Sequence, residues 1–509
     1  MSGPLTTGIA TLCHEIVTKV SSDAGGQVQQ IGDRLDDPLR VAIAGRLKAG
    51  KSTLVNALIG RRVAPTAAGE CTRVVTRFRY GPADRIDVVT RDGNRHSLPL
   101  DEDGMVPSRL GVPASRVAHV DVTLTSDRLR DLTVVDTPGL ASTDAASSGR
   151  AEEAVGIDAD SAGEVAAAEA VVYVFTQAVR ADDRQALEAF HTASARLATS
   201  PINAIGVLGK ADTLTGGADD PWPVAGRLAG QQAGLLARTV GDVVPVAALL
   251  AETAEAGRLT AADRDALARL AALPAATLTL LLASADLFRS RPAPVSAEQR
   301  ERLLTRLDLY GIGFACAQLA ADPRLGTGEL VRRLLGASGF PRLRDTVDRT
   351  FRWRCDAIKA GWALTRLQRL AGFAADPRDR AALRDALEQA LRDPAYHRLR
   401  LLDAAQRAAT GAVALPQPWE QDLIRLATAD DPRVVLGLPD AGDDELAAAA
   451  IAAAGRWRAW AFDGAGPAQA RIAQVASRGF HLLAREVSTK PAGEPATGTT
   501  TGEVRPCRT

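Results

Sequence analysis

Aromatic residues make up only 4% of this chain, and lysine is rarer than its charge suggests: six of the 61 basic residues, the rest being arginine. A surplus of either charge is missing too. The 61 basic residues are matched by 61 acidic ones, so no global field draws the chain to nucleic acid, and no nucleic-acid partner is expected. The five cysteines, Cys13, Cys71, Cys316, Cys355 and Cys507, are scattered, odd in number and free of CxxC or Cys/His spacing. That excludes a disulfide framework or a zinc site of recognisable pattern and leaves buried or unreactive thiols. Long hydrophobic runs are absent as well. The best candidate, Leu270 to Ala285, contains Pro274 and is bounded by Arg269 and Asp286, short of the roughly 20 residues a spanning helix needs. The N-terminus lacks the basic-then-apolar order of a signal peptide. A cytoplasmic protein is expected, with peripheral contact at the inner face of the plasma membrane left open.

At 509 residues the chain is too long for one core. Alanine and leucine dominate, which favours helices wherever no β-branched run intervenes. The stretch Ile9 to Val20 reads as a helix with Ile9, Leu12, Ile16 and Val20 on one face. Leu39 to Gly45 is a nearly all-apolar strand, and Ser52 to Ile59 a helix after a glycine-bearing turn. Strands follow at Thr72 to Tyr80, Arg85 to Thr90, Val117 to Leu124, Leu132 to Val135, Val171 to Phe175, Ile202 to Leu208 and Val243 to Leu250. Helices at Asp183 to Ala198 and Val224 to Thr239 separate some of them. This alternation predicts an α/β domain with a mainly parallel sheet over residues 37–255.

Beyond 255 the strand signal fades. Stripes such as Leu303, Leu307, Tyr310, Phe314 and Leu383, Leu387, Leu391 predict helices packed on one another across 256–485. The N-terminal residues 1–36 are expected to join that all-α bundle, because a lone helix of this length is marginal in water. Residues 486–509, rich in Thr, Gly and Pro, are expected to be a disordered tail.

The lysines point to chemistry. Three of the six, Lys48, Lys51 and Lys210, lie in two short motifs. Gly45-Arg-Leu-Lys-Ala-Gly50-Lys51-Ser52-Thr53 satisfies GxxxxGK[ST] between a strand and a helix. There the backbone N–H groups of Gly45, Ala49, Gly50 and Thr53 are in place to wrap phosphates, Lys51 to reach the β/γ-phosphates, and the Ser52 hydroxyl to hold Mg²⁺. Asp136-Thr-Pro-Gly139 closes the strand Leu132 to Val135; the carboxylate suits the metal, and the Gly139 N–H suits the γ-phosphate. Between them, Thr66 or Thr72 is the candidate threonine completing the metal shell, and Thr72, just ahead of a strand, is preferred. Gly209-Lys210-Ala-Asp212 follows the strand ending at Leu208 and reads as a guanine-recognition loop. Asp212 would accept from the ring N–H and exocyclic amine while the Lys210 stem covers the base. The leading Asn or Thr of such loops is replaced by Gly209.

The runs GRLKAGKSTLVNALIG, APTAAGECTRVVTRFRYGP and VVDTPG, with LYGIGFACAQLA and LLGASGFPRLRDTV further on, resemble the bacterial dynamin-like proteins. The likeness is to the actinobacterial isoniazid-inducible branch, its shorter member above all, and it spans most of the chain. The resemblance implies a P-loop GTPase head hinged to a long helical bundle built from both sides of it. It further implies GTP hydrolysis with Mg²⁺, self-association through the heads or pairing with a paralogue, and membrane remodelling or maintenance. Two departures stand out. Leu47 and Lys48 occupy the P-loop positions where classical dynamins carry glutamine and serine, and Leu140 follows Gly139. Slow hydrolysis is therefore expected, with Lys48 set to neutralise phosphate charge or pair across a dimer. The alternative is a nucleotide-binding scaffold with negligible hydrolysis that supports an active paralogue.

Overall fold

Five consecutive residues of the first strand, Val41 to Gly45, are buried, so the strand needs cover on both faces and neighbours on both edges. In the computed structural model it has both. The structure describes residues 3–45, 48–65, 74–137, 168–176, 203–215, 220–236, 240–352, 354–390, 397–409, 411, 413–429 and 431–489. The described strands are β1 (Leu39–Gly45), β2 (Thr76–Tyr80), β3 (Arg85–Thr90), β4 (Arg95–Leu98), β5 (Val117–Leu124), β6 (Leu132–Asp136), β7 (Ala170–Phe175), β8 (Ala204–Gly209) and β9 (Val243–Val246). They form one sheet in the order β4-β3-β5-β2-β6-β1-β7-β8-β9. From β6 to β9 every pairing is parallel, whereas β2 meets β6, and β3 meets β4 and β5, antiparallel. The sheet is thus mixed and mainly parallel. The chain leaves β1 for β6 on one side and returns to β7 on the other, which opens a crevice at the carboxyl ends of these strands.

Helices sit where the sequence leads, with shifted ends. The N-terminal helix α1 runs Pro4–Val17 rather than Ile9 to Val20: Pro4 at its first turn has the fixed φ that starts a helix, and Ser21 caps the next one, α2 (Ser22–Asp33). Ile9, Leu12 and Ile16 are buried, as expected of a stripe. α1 packs on α2 and on helices Cys355–Phe373 and Pro377–Ala390. The Asp356 carboxylate accepts from the backbone N–H groups of Leu5 and Thr6, and Asp379 from Ser21. The P-loop helix α3 is Lys51–Ile59, and α4 (Trp222–Leu235) precedes β9. The apolar run Val243 to Leu250, read as one strand, divides: β9 ends at Val246, and Ala248–Glu255 is helix α5. Pro245 lies inside β9 without a donor N–H, which an edge strand tolerates. The polar strand β4 carries no apolar alternation to announce it. The helix expected at Asp183 to Ala198 lies outside the described residues.

Contacts divide the chain at 393/394, so the helices up to residue 390 belong to the same compact unit as the sheet, and those from His397 on to a second unit. In the first unit, Leu270 to Ala285 is broken at Pro274: it holds the end of helix Ala261–Ala271, the whole of helix Ala275–Leu282 and the first residue of helix Ala285–Ser290. No helix among the described residues is long and apolar enough to cross a membrane. Cys13 and Cys316 are buried and free, and burial pushes both thiols up to about 12. The second unit packs a hairpin of helices Asp443–Asp463 and Pro467–Thr489. In it Trp419 stacks on Trp460 at 4.8 Å between ring centroids and meets the buried Trp457 edge-on at 4.7 Å. Phe462, 82% exposed, stands at the turn of the hairpin.

Candidate nucleotide site

The loop between β1 and α3 is held where only a residue without a side chain fits. Gly45 pairs with Val174 across the β1–β7 ladder, and a Cβ at Gly45 would lie 2.0 Å from the Val174 carbonyl oxygen. Gly45, Lys48 and Gly50 all have positive φ (144°, 63° and 91°), a turn that exposes backbone N–H groups at the start of a helix. Lys51, 8% exposed, donates from Nζ to the Gly45 carbonyl at 3.0 Å. Burial pulls the Lys51 ammonium below its ordinary range, and the neighbouring Asp136 carboxylate opposes that. Lys48 is exposed; Thr53 is half-buried in the first turn of α3.

Asp136 ends β6 beside this loop. Its Oδ2 accepts from the Ser52 hydroxyl at 2.9 Å, while its Oδ1 is buried with no hydrogen-bond partner among the described residues. Burial pushes the carboxyl up to about 6, against the pull of the Ser52 bond and the Lys51 charge. Thr137 follows, its hydroxyl fixed to the Ile43 carbonyl at 2.8 Å. A hydroxyl and a carboxylate with an orphaned oxygen, next to an ammonium, form a hard-oxygen donor set that suits Mg²⁺, which keeps most of its shell for water and phosphate. No cluster of three or more His, Cys, Asp or Glu side chains able to hold a metal occurs among the described residues.

The other end of the crevice is built from β8. A Cβ at Gly209 would lie 2.8 Å from the Ala49 carbonyl oxygen and 3.2 Å from Val174 Cγ1. The position where related loops carry Asn or Thr is therefore closed here: backbone packs directly on the P-loop, and a side chain has no room. Lys210 is exposed with φ of 55°, and Asp212 is buried in the single turn Ala211–Thr213. Burial raises the Asp212 carboxyl to about 6; its own backbone N–H and Lys210 pull it down, and the Asp308 carboxylate pushes it further up.

Asp308 lies inside the helix Ala297–Ala321, which packs against that turn, and has φ 53° and ψ −178°. A non-glycine residue there is strained by roughly 1–3 kcal/mol. Two bonds accompany the break: from outside, the Thr253 hydroxyl donates to the Arg306 carbonyl, and locally Asp308 Oδ1 accepts from the Leu309 N–H. The stripe Leu303, Leu307, Tyr310, Phe314 runs through the break and gives no warning of it.

Of the residues singled out in the sequence, Gly45, Ala49, Gly50, Lys51, Ser52, Thr53 and Asp136 meet at one end, and Lys210 and Asp212 at the other. Thr66, Thr72, Gly139, Leu47 and Leu140 lie outside the described residues. Sequence reasoning passed over Asn56, Glu252 and Asp308. An asparagine within the apolar run Leu54-Val-Asn-Ala-Leu58 was the available signal for the first.

Comparison with known proteins agrees with this geometry. The Dynamin family profile matches residues 41–189, from the heart of β1 past Asp136. A solved structure described as an oligomerised bacterial dynamin pair aligns over 96% of this chain and 75% of its own. Its identity is 15% and its TM-score 0.31, too low a score to build on. A bacterial dynamin-like protein of Nostoc punctiforme is 43% identical over 54 residues, 11% of this chain and 8% of its own. The isoniazid-induced protein IniC of Mycobacterium tuberculosis is 34% identical over 447 residues, 85% of this chain and 87% of that one. The P-loop geometry fits, with Lys51 closing on the Gly45 carbonyl and Ser52 donating to Asp136, and identity sustained over that length makes this chain a member of the bacterial dynamin-like GTPase family.

Proposed function

We propose that this protein binds and hydrolyses GTP with Mg²⁺ and uses the cycle to remodel or maintain a membrane. The observation that carries the reading is the pair of bonds Lys51 to the Gly45 carbonyl and Ser52 to Asp136 at one end of a crevice whose other end holds the buried Asp212 carboxylate. Lys51, released from the Gly45 carbonyl, would bind β/γ-phosphate oxygens, and the loop N–H groups would hold the rest of the chain of phosphates. Ser52 and Asp136, with Thr72 as the proposed third group, would hold Mg²⁺, which when bound neutralises charge on the transferring phosphoryl group. Asp212 would accept from the two guanine donors and Lys210 would cover the ring. Gly139 would donate to the γ-phosphate, and Lys48 would add positive charge there or across a head-to-head dimer.

A GTPase head over 37–255 would be flanked by helices from 1–36 and 256–485; the tail expected from 486 would instead follow the helix that runs to Thr489. The apolar stripe of α1 and the helical character beyond β9 support that division. Membrane contact would be peripheral and on the cytoplasmic side; the exposed Phe462 at a helical turn is the kind of apolar side chain it would use. A second reading rests on Leu47 and Leu140, which stand where side chains that order the attacking water would be expected. On that reading the protein holds nucleotide as the partner of an active paralogue.

Phosphate release from GTP, with and without anionic vesicles, separates them. Slow release that vesicles raise several-fold supports the leading reading, and release indistinguishable from the Lys51→Ala variant, with tight GTP binding intact, favours the second. Vesicle-independent release would leave a GTPase without a membrane role.

A further inference from the structure

The side chain of Asn56 has two acceptor sites and two donors, and all four are used inside the protein, where the residue is fully buried. Its Oδ1 accepts from the Val63 N–H at 2.9 Å and the Ala64 N–H at 2.7 Å. Its Nδ2 donates to the Ala64 carbonyl at 3.0 Å and to Glu252 Oε1 at 2.8 Å. Asn56 stands on α3, the helix that opens with Lys51 and Ser52. Val63 and Ala64 are the chain leading into residues 66–73, which hold Thr66 and Thr72. Glu252 comes from α5, and its basic neighbours Arg62 and Arg258 stay at 3.8 Å and 3.9 Å. Among the described residues the amide is thus the short polar contact of a carboxylate that burial pushes upward. One side chain fastens the phosphate-binding helix, the chain beyond it and α5 into a single register.

We propose that Asn56 is a positioning residue of the nucleotide reaction: through its bonds to Val63, Ala64 and Glu252 it sets the chain entering the threonine stretch relative to Lys51 and Ser52. This rests on the reading of the site as a GTPase. A side chain that only filled the core would lower stability alone. A positioning residue alters what happens to the γ-phosphate while leaving diphosphate binding, which needs the P-loop and the base loop, nearly intact.

The test uses Asn56→Asp, Glu252→Gln and the double variant in the full chain. Asn56→Asp keeps both acceptor bonds but sets a carboxylate oxygen against Glu252 and against the Ala64 carbonyl; Glu252→Gln in the double variant restores a donor between the two side chains. Each protein is measured for GDP affinity, for affinity toward a non-hydrolysable GTP analogue with Mg²⁺, for kcat and KM of phosphate release, and for thermal unfolding. Asn56→Asp is expected to lower kcat at least tenfold with GDP affinity changed less than threefold, and the double variant to recover kcat to within threefold of wild type. A loss of kcat that merely tracks the fraction unfolded, or a double variant no better than Asn56→Asp, overturns the proposal. If Asn56→Asp does not fold, Glu252→Ala, which leaves the bonds to Val63 and Ala64 in place, is expected to lower kcat about threefold at unchanged GDP affinity; no change overturns it. Should the wild-type chain release no phosphate, the hydrolysis reading fails separately. The ratio of analogue to GDP affinity then decides: a fall of tenfold or more in Asn56→Asp supports the positioning role, and an unchanged ratio overturns it.

Discussion

The two ends of the crevice are assembled by different physics. At the phosphate end, Gly45 packs on Val174 and the rest is set mainly by hydrogen bonds: Lys51 to the Gly45 carbonyl, Ser52 to the Asp136 carboxylate, Thr137 to the Ile43 carbonyl, and Asn56 to three partners. At the base end it is set by closeness and strain: Gly209 packed on the Ala49 carbonyl, Lys210 with positive φ, and a broken helix that brings Asp308 toward Asp212. A hydrogen-bonded end fails when one partner is deleted and leaves the other buried and unpaired. An end held by packing fails when something is added.

The largest effect should come from Lys51→Ala. It removes the buried phosphate partner, and truncating one member of such a charged contact costs about 2–5 kcal/mol, so GTP affinity by calorimetry should fall at least thirtyfold. Tryptophan-monitored unfolding of the second compact unit, which holds Trp419, Trp457 and Trp460, should stay in place. Affinity equal to wild type would remove the phosphate end from the comparison altogether.

Next is Asp212→Asn. The substitution exchanges an acceptor for a donor against guanine's two donors, and the unpaired groups cost about 1–3 kcal/mol. GTP should weaken roughly ten- to hundredfold while XTP, which offers an acceptor at that edge, gains. A wild type that binds ATP as tightly as GTP would show that closing the Gly209 position has cost the base end its selectivity.

The pH dependence sharpens the contrast. In the nucleotide-free protein the Asp136 and Asp212 carboxyls are raised from 3.8 to about 6. The folded state therefore holds their protons more tightly than the unfolded chain, and the stability they contribute is full below about pH 4 and lost as pH rises to about 6. Guanine binding needs Asp212 ionised and runs the opposite way. Affinity for GDP without Mg²⁺ should fall severalfold between pH 7 and pH 5, and the weaker GDP binding of Asp212→Asn should fall less over the same range. Parallel curves for the two proteins would move the titration to another group.

The smallest effect is expected from Gly209→Ala. A Cβ 2.8 Å from a backbone oxygen makes the loop or the P-loop shift by a few tenths of an ångström. Affinity for GTP should drop severalfold at an unchanged GTP:ATP ratio. A gain in guanine preference would mean that the position tolerates a side chain and that strain is not what places this loop.

How legible each end was follows the same division. The P-loop and Asp136 were readable because their chemistry is local: nine consecutive residues, then one carboxylate at a strand end. The sheet was readable from apolar runs wherever strands are buried, and it failed at β4, whose Arg95-His-Ser-Leu98 has no pattern, and after Val246, where apolar character continues but the chain turns into α5. Asn56 escaped because its role depends on Glu252, 196 residues away. Asp308 escaped because helical periodicity continues across it, while the Thr253 bond that accompanies the break comes from a distant part of the chain. The closed position at Gly209 looked like a missing side chain and is a site without space for one.

The scarcity of lysine has a practical side in the folded protein. Lys51 and Lys359 are buried, Lys490 lies outside the described residues, and Lys19, Lys48 and Lys210 are exposed. Of those three, Lys48 and Lys210 belong to the two ends of the crevice. Acylation by an amine-selective reagent, followed by peptide mass spectrometry, would therefore act as a footprint of the site with little background from the rest of the surface. Arginine carries the remaining positive charge and is not acylated. Protection of Lys48 and Lys210 by nucleotide, with Lys19 as the internal control, would report occupancy of each end separately in the unmodified sequence, without a fluorescent analogue or an engineered label.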